Sequence, residues 1–188
     1  MNDYLNEMAK LLTQVPRDSL RAIADHLWRA YCQDAQIFAC GNGGSSATAS
    51  HFVEDLSKGV DLPPGRRRFR ALSLVDSVPT LTAYANDLGF EHIFCEPLRN
   101  LVRPGDVLLV LSGSGRSENV LRAMQVAKEA GATVVGLAGR DGGEMCALAD
   151  SCLIVPSQSM QQIEDAHLVI AHALFLDLKA RAEQAACA

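Results

Sequence analysis

The sequence has 188 residues, which suits one domain with its own hydrophobic core. Hydrophobic residues make up 48% and charged residues 21% of the chain, a globular composition that excludes a low-complexity or disordered protein. The formal net charge of −5 argues against a surface built to bind nucleic acid. We expect a single domain over 1–188, with an N-terminal helical segment (1–33) and an α/β core (34–188) that includes a long C-terminal helix.

The sequence also predicts a compartment. No apolar run approaches the ~20 residues that cross a membrane, and the segment from Met1 to Glu7 lacks the basic-then-apolar pattern of a signal sequence. We therefore expect a cytoplasmic protein with no membrane partner. Reduced thiols are expected because no CxxC pair occurs among the six cysteines, which are Cys32, Cys40, Cys95, Cys146, Cys152 and Cys187.

One basic run, Arg66–Arg70, stands out in this acidic chain. It follows the turn signal Leu62-Pro63-Pro64-Gly65 and precedes an apolar stretch, Ala71–Val75. This position favours a solvated entrance to a strand over a phosphate or subunit contact, which is the alternative.

The first elements in chain order are helical. Apolar residues recur every three or four positions from Leu5 to Tyr31, with a break at Pro16, so two helices are predicted, the second long and amphipathic. Next come a short apolar run (35–40), a glycine-rich stretch (41–46) and a helical pattern from Ala47 to about Leu56. The pattern indicates a strand, a glycine loop and a helix.

The same order of elements returns later in the chain. An apolar run (106–111) precedes a Ser/Gly stretch (112–117) and a helix through Ala127, and further strands are predicted at 69–75, 132–138 and 151–155. Short apolar strands that alternate with helices predict a parallel sheet covered by helices on both faces. The last element, about Gln162 to Ala185, is a long helix with apolar residues on several sides, which indicates packing partners on those sides, from this chain or from another subunit.

Both glycine loops suit an anion. A glycine-rich turn between a strand and a helix exposes backbone N–H groups at the positive end of the helix dipole, and serine hydroxyls add further donors. The loops lack the GxxxxGK[ST] pattern of a P-loop, and the first lacks the GxGxxG spacing of dinucleotide-binding proteins. One such loop can be no more than a tight turn. Two of them, with serines at 45, 46, 112, 114 and 117, predict phosphate binding.

Three stretches carry a family resemblance: Cys40–Ser45, Ala85–Phe90 and Leu111–Val120. They resemble the sugar isomerase (SIS) domain, and within it the phosphoheptose isomerases, which interconvert sedoheptulose 7-phosphate and D-glycero-D-manno-heptose 7-phosphate. The resemblance runs nearly end to end. It implies a five-stranded parallel sheet in a flavodoxin-like three-layer sandwich, and a homotetramer whose active sites lie between subunits.

The resemblance also implies which residues contact the substrate. By position, the phosphate is held by Ser45, Ser112, Ser114 and Ser117. The remaining positions that touch the sugar or shape its pocket are Asn42, Gly43, Gly44, Asp55, Asn86, Asp87, Gly113 and Glu164.

Isomerisation of an aldose to a ketose moves a proton between C1 and C2 through an enediol, so it needs a base and a group that polarises the carbonyl. His51 and Asp55 lie four residues apart on the helix after the first loop and therefore share a face, whereas Glu54 points about 100° away. On the last helix, His167 and His172 are polar exceptions. A lone histidine such as His167 is more often a core residue.

The resemblance implies zinc at four positions, which are His51, Asp55, Glu164 and His172, with Asp55 and His172 as the proton-transfer pair. This chain departs from the family twice, because the family has Glu at the position of Asp55 and Gln at that of Glu164. Glu164 and His172 are eight residues apart, ~12 Å along an ideal helix. Both bind one ion only if the helix begins near Glu164 or subunits share the site.

The predicted function is therefore the isomerisation of sedoheptulose 7-phosphate. Two alternatives remain open. The same reaction on another phosphosugar is the first, because both departures lie where the reacting end of the substrate would sit. The second is a non-catalytic SIS scaffold similar to the relatives that associate with the bacterial replication initiator, which lack the reactive carboxylate and the final histidine. Asp55 and His172 favour the enzyme.

Overall fold

The structure is a computed structural model that describes residues 2–60 and 66–185. Its N-terminal part comprises α1 (Asn2–Thr13), α2 (Arg17–Cys32), β1 (Gln36–Gly41), α3 (Gly44–Lys58) and β2 (Arg70–Ser73). The middle part comprises α4 (Val78–Asp87), a 3₁₀ turn (Phe90–His92), α5 (Cys95–Arg99), β3 (Val107–Ser112) and α6 (Glu118–Glu129). The last part comprises β4 (Thr133–Gly139), α7 (Gly143–Leu148), β5 (Ser151–Val155) and α8 (Met160–Gln184).

The five strands form one parallel sheet in the order β2-β1-β3-β4-β5. Alternate residues of a strand enter different layers: Ile37 belongs to the core cluster with α1, α2, α3 and α8, and Phe38 to the cluster with α5, α6 and α7. Burial on both faces explains why the strands are apolar throughout. The predicted fold, a five-stranded parallel sheet in a three-layer sandwich with N-terminal helices, is confirmed.

The strand order places the two glycine loops side by side. From β1 the chain continues to β2 on one side, whereas from β3 it continues to β4 on the other, and β1 and β3 are neighbours with Gly41 opposite Leu111. The carboxyl ends of such a strand pair border a crevice where open α/β sheets bind ligands. Both predicted loops leave this edge.

Helix boundaries differ slightly from the prediction. Helix α3 begins at Gly44 rather than Ala47, because Gly43 adopts a φ of +54° and turns the chain directly into the helix. Helix α8 begins at Met160, where the hydroxyl of Ser159 accepts a hydrogen bond from the N–H of Gln162. The turn predicted at Leu62-Pro63-Pro64-Gly65 lies outside the described residues.

Arginines of the basic run donate hydrogen bonds to backbone carbonyls near the C-terminal ends of two helices. Arg67 donates to the carbonyls of Tyr31 and Cys32 at the end of α2, and Arg70 donates to the carbonyl of Asp34 just beyond it. Arg66 donates to the carbonyl of Ala185 after α8. Cationic side chains at these positions satisfy carbonyls that lack partners within the helix.

The cysteine prediction is wrong for one pair. Cys146 in α7 and Cys152 in β5 form a disulfide, whereas Cys32, Cys40 and Cys95 are free thiols. The packing of α7 against β5 brings the two cysteines together, and their spacing in the sequence does not predict this contact.

Across the described residues, no helix combines the length and apolar character needed to traverse a bilayer.

Candidate active site

The first loop leads into α3 without a side-chain cap. The N-cap residue Gly43 has no side chain, so the first N–H groups of α3 face the crevice. Asn42 in this loop and Asn119 in α6 exchange two amide hydrogen bonds of 2.9 and 2.8 Å. Asn119 is 2% exposed, so this buried amide pair holds the two loops at a fixed separation.

The second loop also leads into its helix without a side-chain cap. Ser117 is the N-cap of α6, but its hydroxyl makes no capping bond, whereas Ser77 and Ser159 cap α4 and α8 through theirs. The Ser117 hydroxyl is therefore available to a ligand, as are the N–H groups of Glu118 and Asn119, whereas the N–H of Val120 donates to Oδ1 of Asn119. Two uncapped helix N-termini at one sheet edge form a site for an anion.

The segment from Asp141 to Met145 packs against the second loop and supports it. Gly115 has a φ of +64° and its carbonyl accepts a hydrogen bond of 3.0 Å from the N–H of Met145 in α7. Arg116 donates two hydrogen bonds, 2.9 and 2.7 Å, to the carboxylate of Asp141. The Arg116 guanidinium and the N–H of Gly143 hold the pKa of Asp141 well below its usual range, so this ion pair persists in acid well below neutral pH.

A cluster of potential metal ligands lies between α3 and α8. The Nε2 atoms of His51 and His172 are 3.4 Å apart, and Oδ2 of Asp55 lies 3.9 Å from the first and 3.8 Å from the second. Tetrahedral zinc with nitrogen and oxygen ligands separates such atoms by about 3.3 Å. Oδ2 of Asp55 is buried and has no hydrogen-bond partner. A divalent cation would satisfy it, so these three residues fit a metal ion.

The predicted fourth ligand, Glu164, stands apart from this cluster. Helix α8 is continuous from Met160, so Glu164 and His172 remain two turns apart. The Glu164 carboxyl group instead lies on Gly44, within 2.6 Å of the position that a Cβ there would take. The neighbouring candidate Glu54 is exposed and pairs with Lys58 at 3.3 Å. Of the two adjacent acids, only Asp55 faces the histidines.

His167 is a core residue, as its position on an apolar helix suggests. It is fully buried, and its Nε2 lies 3.1 Å from the carbonyl oxygen of Ala138. Burial lowers the pKa of His167 to about 4, so the ring is neutral at physiological pH.

Asn86 and Asp87 are exposed at the end of α4, where the Asn86 amide donates to the Asp87 carboxylate at 2.8 Å. Within the part of the chain that the structure describes, neither residue bonds to a glycine loop. A cavity of about 400 Å³ does open beside the loops and is lined by Asn42, Phe90, Glu91, Ser117, Glu118, Asn119 and Arg122. The sequence analysis did not identify Asn119 as a site residue. Its position at the start of a helix, directly after a serine-rich loop, could have indicated such a role.

Comparison with known proteins identifies the class to which this fold and site belong. The family model of the SIS domain matches residues 3–139. Most of the sheet and both glycine loops lie within that range. The chain therefore belongs to the SIS domain family.

Relatives narrow the assignment to the phosphoheptose isomerases. The phosphoheptose isomerase of Helicobacter hepaticus is 37% identical over 92% of this chain and 86% of its own length. That of Mycobacterium tuberculosis is 40% identical over 84% of this chain and 79% of its own length. The solved structure of GmhA from Neisseria gonorrhoeae has a TM-score of 0.88 and 31% identity, and the match covers 95% of this chain and 96% of that one. Within the SIS domain family, the chain belongs with the phosphoheptose isomerases.

Proposed function

We propose that the chain interconverts sedoheptulose 7-phosphate and D-glycero-D-manno-heptose 7-phosphate through an enediol. The observation that carries the proposal is the cluster that Asp55 and His51, on the helix that starts at an anion-binding loop, form with His172 of α8. The chain keeps both the means to hold a phosphate and the means to move a proton. A non-catalytic scaffold needs only the first.

Phosphate binding falls to the two loops. The hydroxyls of Ser112, Ser114 and Ser117 and the N-terminus of α6 hold the phosphate, with Ser45 from the facing helix α3. Asn42 and the glycines of both loops, Gly43, Gly44 and Gly113, leave room for the ligand to reach the backbone. Charge-assisted hydrogen bonds of this kind are about twice as strong as neutral ones.

Proton transfer falls to Asp55 and His172. Their facing atoms are 3.8 Å apart, so both groups can act on one substrate. One group carries the proton between C1 and C2, and the other exchanges protons with the oxygens on these two carbons. Oδ2 of Asp55 and Nε2 of His172 face the cluster, which leaves Oδ1 and Nδ1 for the proton. His51 lies seven residues beyond Gly44, about 10 Å along α3. That separation suits a sugar whose reacting carbons lie at the opposite end from its phosphate.

His51, Asp55 and His172 would hold a Zn²⁺ ion. When bound, the ion would polarise the carbonyl oxygen of the open-chain sugar and stabilise the enediolate charge. The role of Glu164 as a fourth ligand stays a prediction, which requires subunits to share the site because α8 is continuous from Met160. Its carboxylate on Gly44 supports a substrate contact at the first loop.

A different phosphosugar is the alternative substrate. Asp55 is one methylene shorter than the family's glutamate, and a shift of the base by about 1 Å can cost ~100-fold in rate on an unsuited substrate. Glu164 adds a negative charge where the family has an amide. Both changes alter the reacting end of the pocket and leave the phosphate loops as they are.

We further infer a homotetramer with active sites between subunits. Several large apolar side chains are exposed on α1, on α8 and at both ends of α4, among them Leu5, Val78, Leu88, Phe90 and Leu176. Such surfaces mark protein–protein contacts. Asn86 and Asp87 lie among these exposed apolar residues. We therefore expect them to contact the substrate in the active site of a neighbouring subunit. The single-domain organisation and the cytoplasmic location stay predictions.

The test compares two adjacent acids. Wild-type protein, Asp55→Asn and the matched control Glu54→Gln are incubated with sedoheptulose 7-phosphate or fructose 6-phosphate, and new aldose is followed by NMR. We expect heptose product from wild type and Glu54→Gln, at least ~100-fold less from Asp55→Asn, and little conversion of the shorter sugar. Full activity in Asp55→Asn would contradict the assignment of the base. Conversion of fructose 6-phosphate alone would establish the alternative substrate.

A further inference from the structure

A second group of metal-ligand side chains lies on the opposite face of the sheet from the cluster of His51, Asp55 and His172. His92 ends the 3₁₀ turn, and Cys95 and Glu96 begin α5, so one helical turn carries an imidazole, a thiol and a carboxylate. The sulfur of Cys95 lies 3.8 Å from Nδ1 of His92 and 3.8 Å from Oε1 of Glu96. Nδ1 of His92 and Oε1 of Glu96 are 3.6 Å apart. The three donor atoms form a nearly regular triangle.

The size of this triangle matches that of a zinc site. Bonds of about 2.3 Å to sulfur and about 2.0 to 2.1 Å to nitrogen and oxygen place tetrahedral ligands about 3.3 to 3.6 Å apart. The observed separations exceed those values by only a few tenths of an ångström. Thiolate and imidazole together select Zn²⁺ and similar ions, and they disfavour Mg²⁺ and Ca²⁺, which prefer oxygen.

Space for a fourth ligand is present. A cavity of about 360 Å³ opens over the three side chains and is lined by His92, Cys95, Glu96, Arg99, Glu118, Arg122, Gln125, Val126 and Glu129. A water molecule or one of the nearby glutamates can complete a tetrahedral shell. Cys95 lines this cavity although the residue is only 2% exposed.

We propose that His92, Cys95 and Glu96 form a second divalent-metal site, with Zn²⁺ as its ligand class. On binding, the Cys95 thiol releases its proton to solvent and the thiolate donates an electron pair to the ion, so affinity rises with pH. The metal joins the 3₁₀ turn to α5 and stabilises the segment that follows Asn86 and Asp87.

The site is separate from the cluster in the active site. His51, Asp55 and His172 lie on α3 and α8, on one face of the sheet, whereas Cys95 belongs to the core on the opposite face. The proposal therefore does not depend on the proposed function, and either can fail alone.

Arg122 competes with the metal. Its Nη1 lies 2.9 Å from Nε2 of His92, where it donates a hydrogen bond, and its Nε donates to Glu118 at 2.7 Å. A metal on Nδ1 requires a proton on Nε2, and two donors cannot share a hydrogen bond. Arg122 must then release His92 and keep Glu118. Arg122→Gln supplies an acceptor for Nε2–H instead, so we expect it to bind the metal about 10-fold more tightly.

The test uses Co²⁺, because cobalt bound to a thiolate gives a charge-transfer band in the near ultraviolet that nitrogen and oxygen ligands do not give. Full-length protein is titrated with Co²⁺ as wild type, Cys95→Ser, the matched control Cys32→Ser, and His172→Gln, which weakens the active-site cluster. We expect the band in wild type, Cys32→Ser and His172→Gln, its loss in Cys95→Ser, and its displacement by Zn²⁺. Cys95→Ser should retain isomerase activity.

The wild-type titration alone can overturn the proposal. A protein that binds Co²⁺ without the charge-transfer band, or binds none, has no metal at Cys95. A band that survives in Cys95→Ser but disappears in Cys32→Ser would place the thiolate ligand at the exposed cysteine. A band unchanged in position and midpoint by Arg122→Gln would refute the competition between the arginine and the metal.

Discussion

Gly115 provides a direct test of how the second loop is supported. Its φ of +64° lies in the left-handed region, where any other residue costs about 1–2 kcal/mol. A Cβ there would lie 2.1 Å from the carbonyl oxygen of Gly142, a backbone atom that cannot rotate away. Forcing extra volume into a packed site costs about 1–3 kcal/mol. Gly115→Ala should therefore lower the free energy of unfolding by about 2–5 kcal/mol.

Gly105→Ala is the matched control. Gly105 has a φ of +90°, but no atom lies within 4 Å of the position that a Cβ there would take, so it isolates the conformational cost of about 1–2 kcal/mol. Urea unfolding measures stability, and calorimetric titration with sedoheptulose 7-phosphate measures binding. We expect Gly115→Ala also to lose about 10-fold or more in affinity, because the loop must move to avoid the clash, whereas Gly105→Ala binds normally. Equal effects of the two changes on stability and binding would refute this account of the loop.

Three further predictions concern single side chains. Ser114→Ala should raise KM about 10-fold or more with little change in kcat, because a bond to a charged phosphate contributes about 1.5–3 kcal/mol; a fall confined to kcat in steady-state kinetics would contradict a binding role. His172→Gln should abolish turnover while calorimetry still detects substrate binding, and intact turnover would exclude His172 as the proton carrier. The lowered pKa of His167, about 4, makes the unfolded state bind more protons between pH 6.5 and 4, so wild type should lose up to about 3 kcal/mol of stability as pH falls through that window. His167→Gln should remove this contribution in urea unfolding at each pH, and an unchanged pH dependence would count against it.

Local patterns explain how much of the fold could be predicted. Each strand is a short apolar run and each glycine loop follows one directly, so both loops and all five strands were predicted to within a few residues. Helix α4 was not, although Leu81, Tyr84 and Ala85 pack against the core, because none of its residues is fully buried. Helices α5 and α7, with five and six residues, are too short to show any.

The candidate site shows where sequence reasoning stops. His51 and Asp55 share a helix face, which spacing alone reveals, but His172 lies 121 residues after His51 and reaches it only because α8 packs against α3. Only the family resemblance could name that histidine in advance. The disulfide between Cys146 and Cys152 and the amide pair of Asn42 and Asn119 likewise depend on tertiary contacts.

The most direct test of the central claim is isomerisation of sedoheptulose 7-phosphate in D₂O, followed by NMR, with and without added Zn²⁺. Passage through an enediol exposes the transferred proton to solvent, so we predict heptose 7-phosphate with deuterium at C2, formed faster when Zn²⁺ is present. Neither product nor deuterium exchange, in protein that still binds the sugar phosphate, would contradict the isomerase and leave a phosphosugar-binding scaffold.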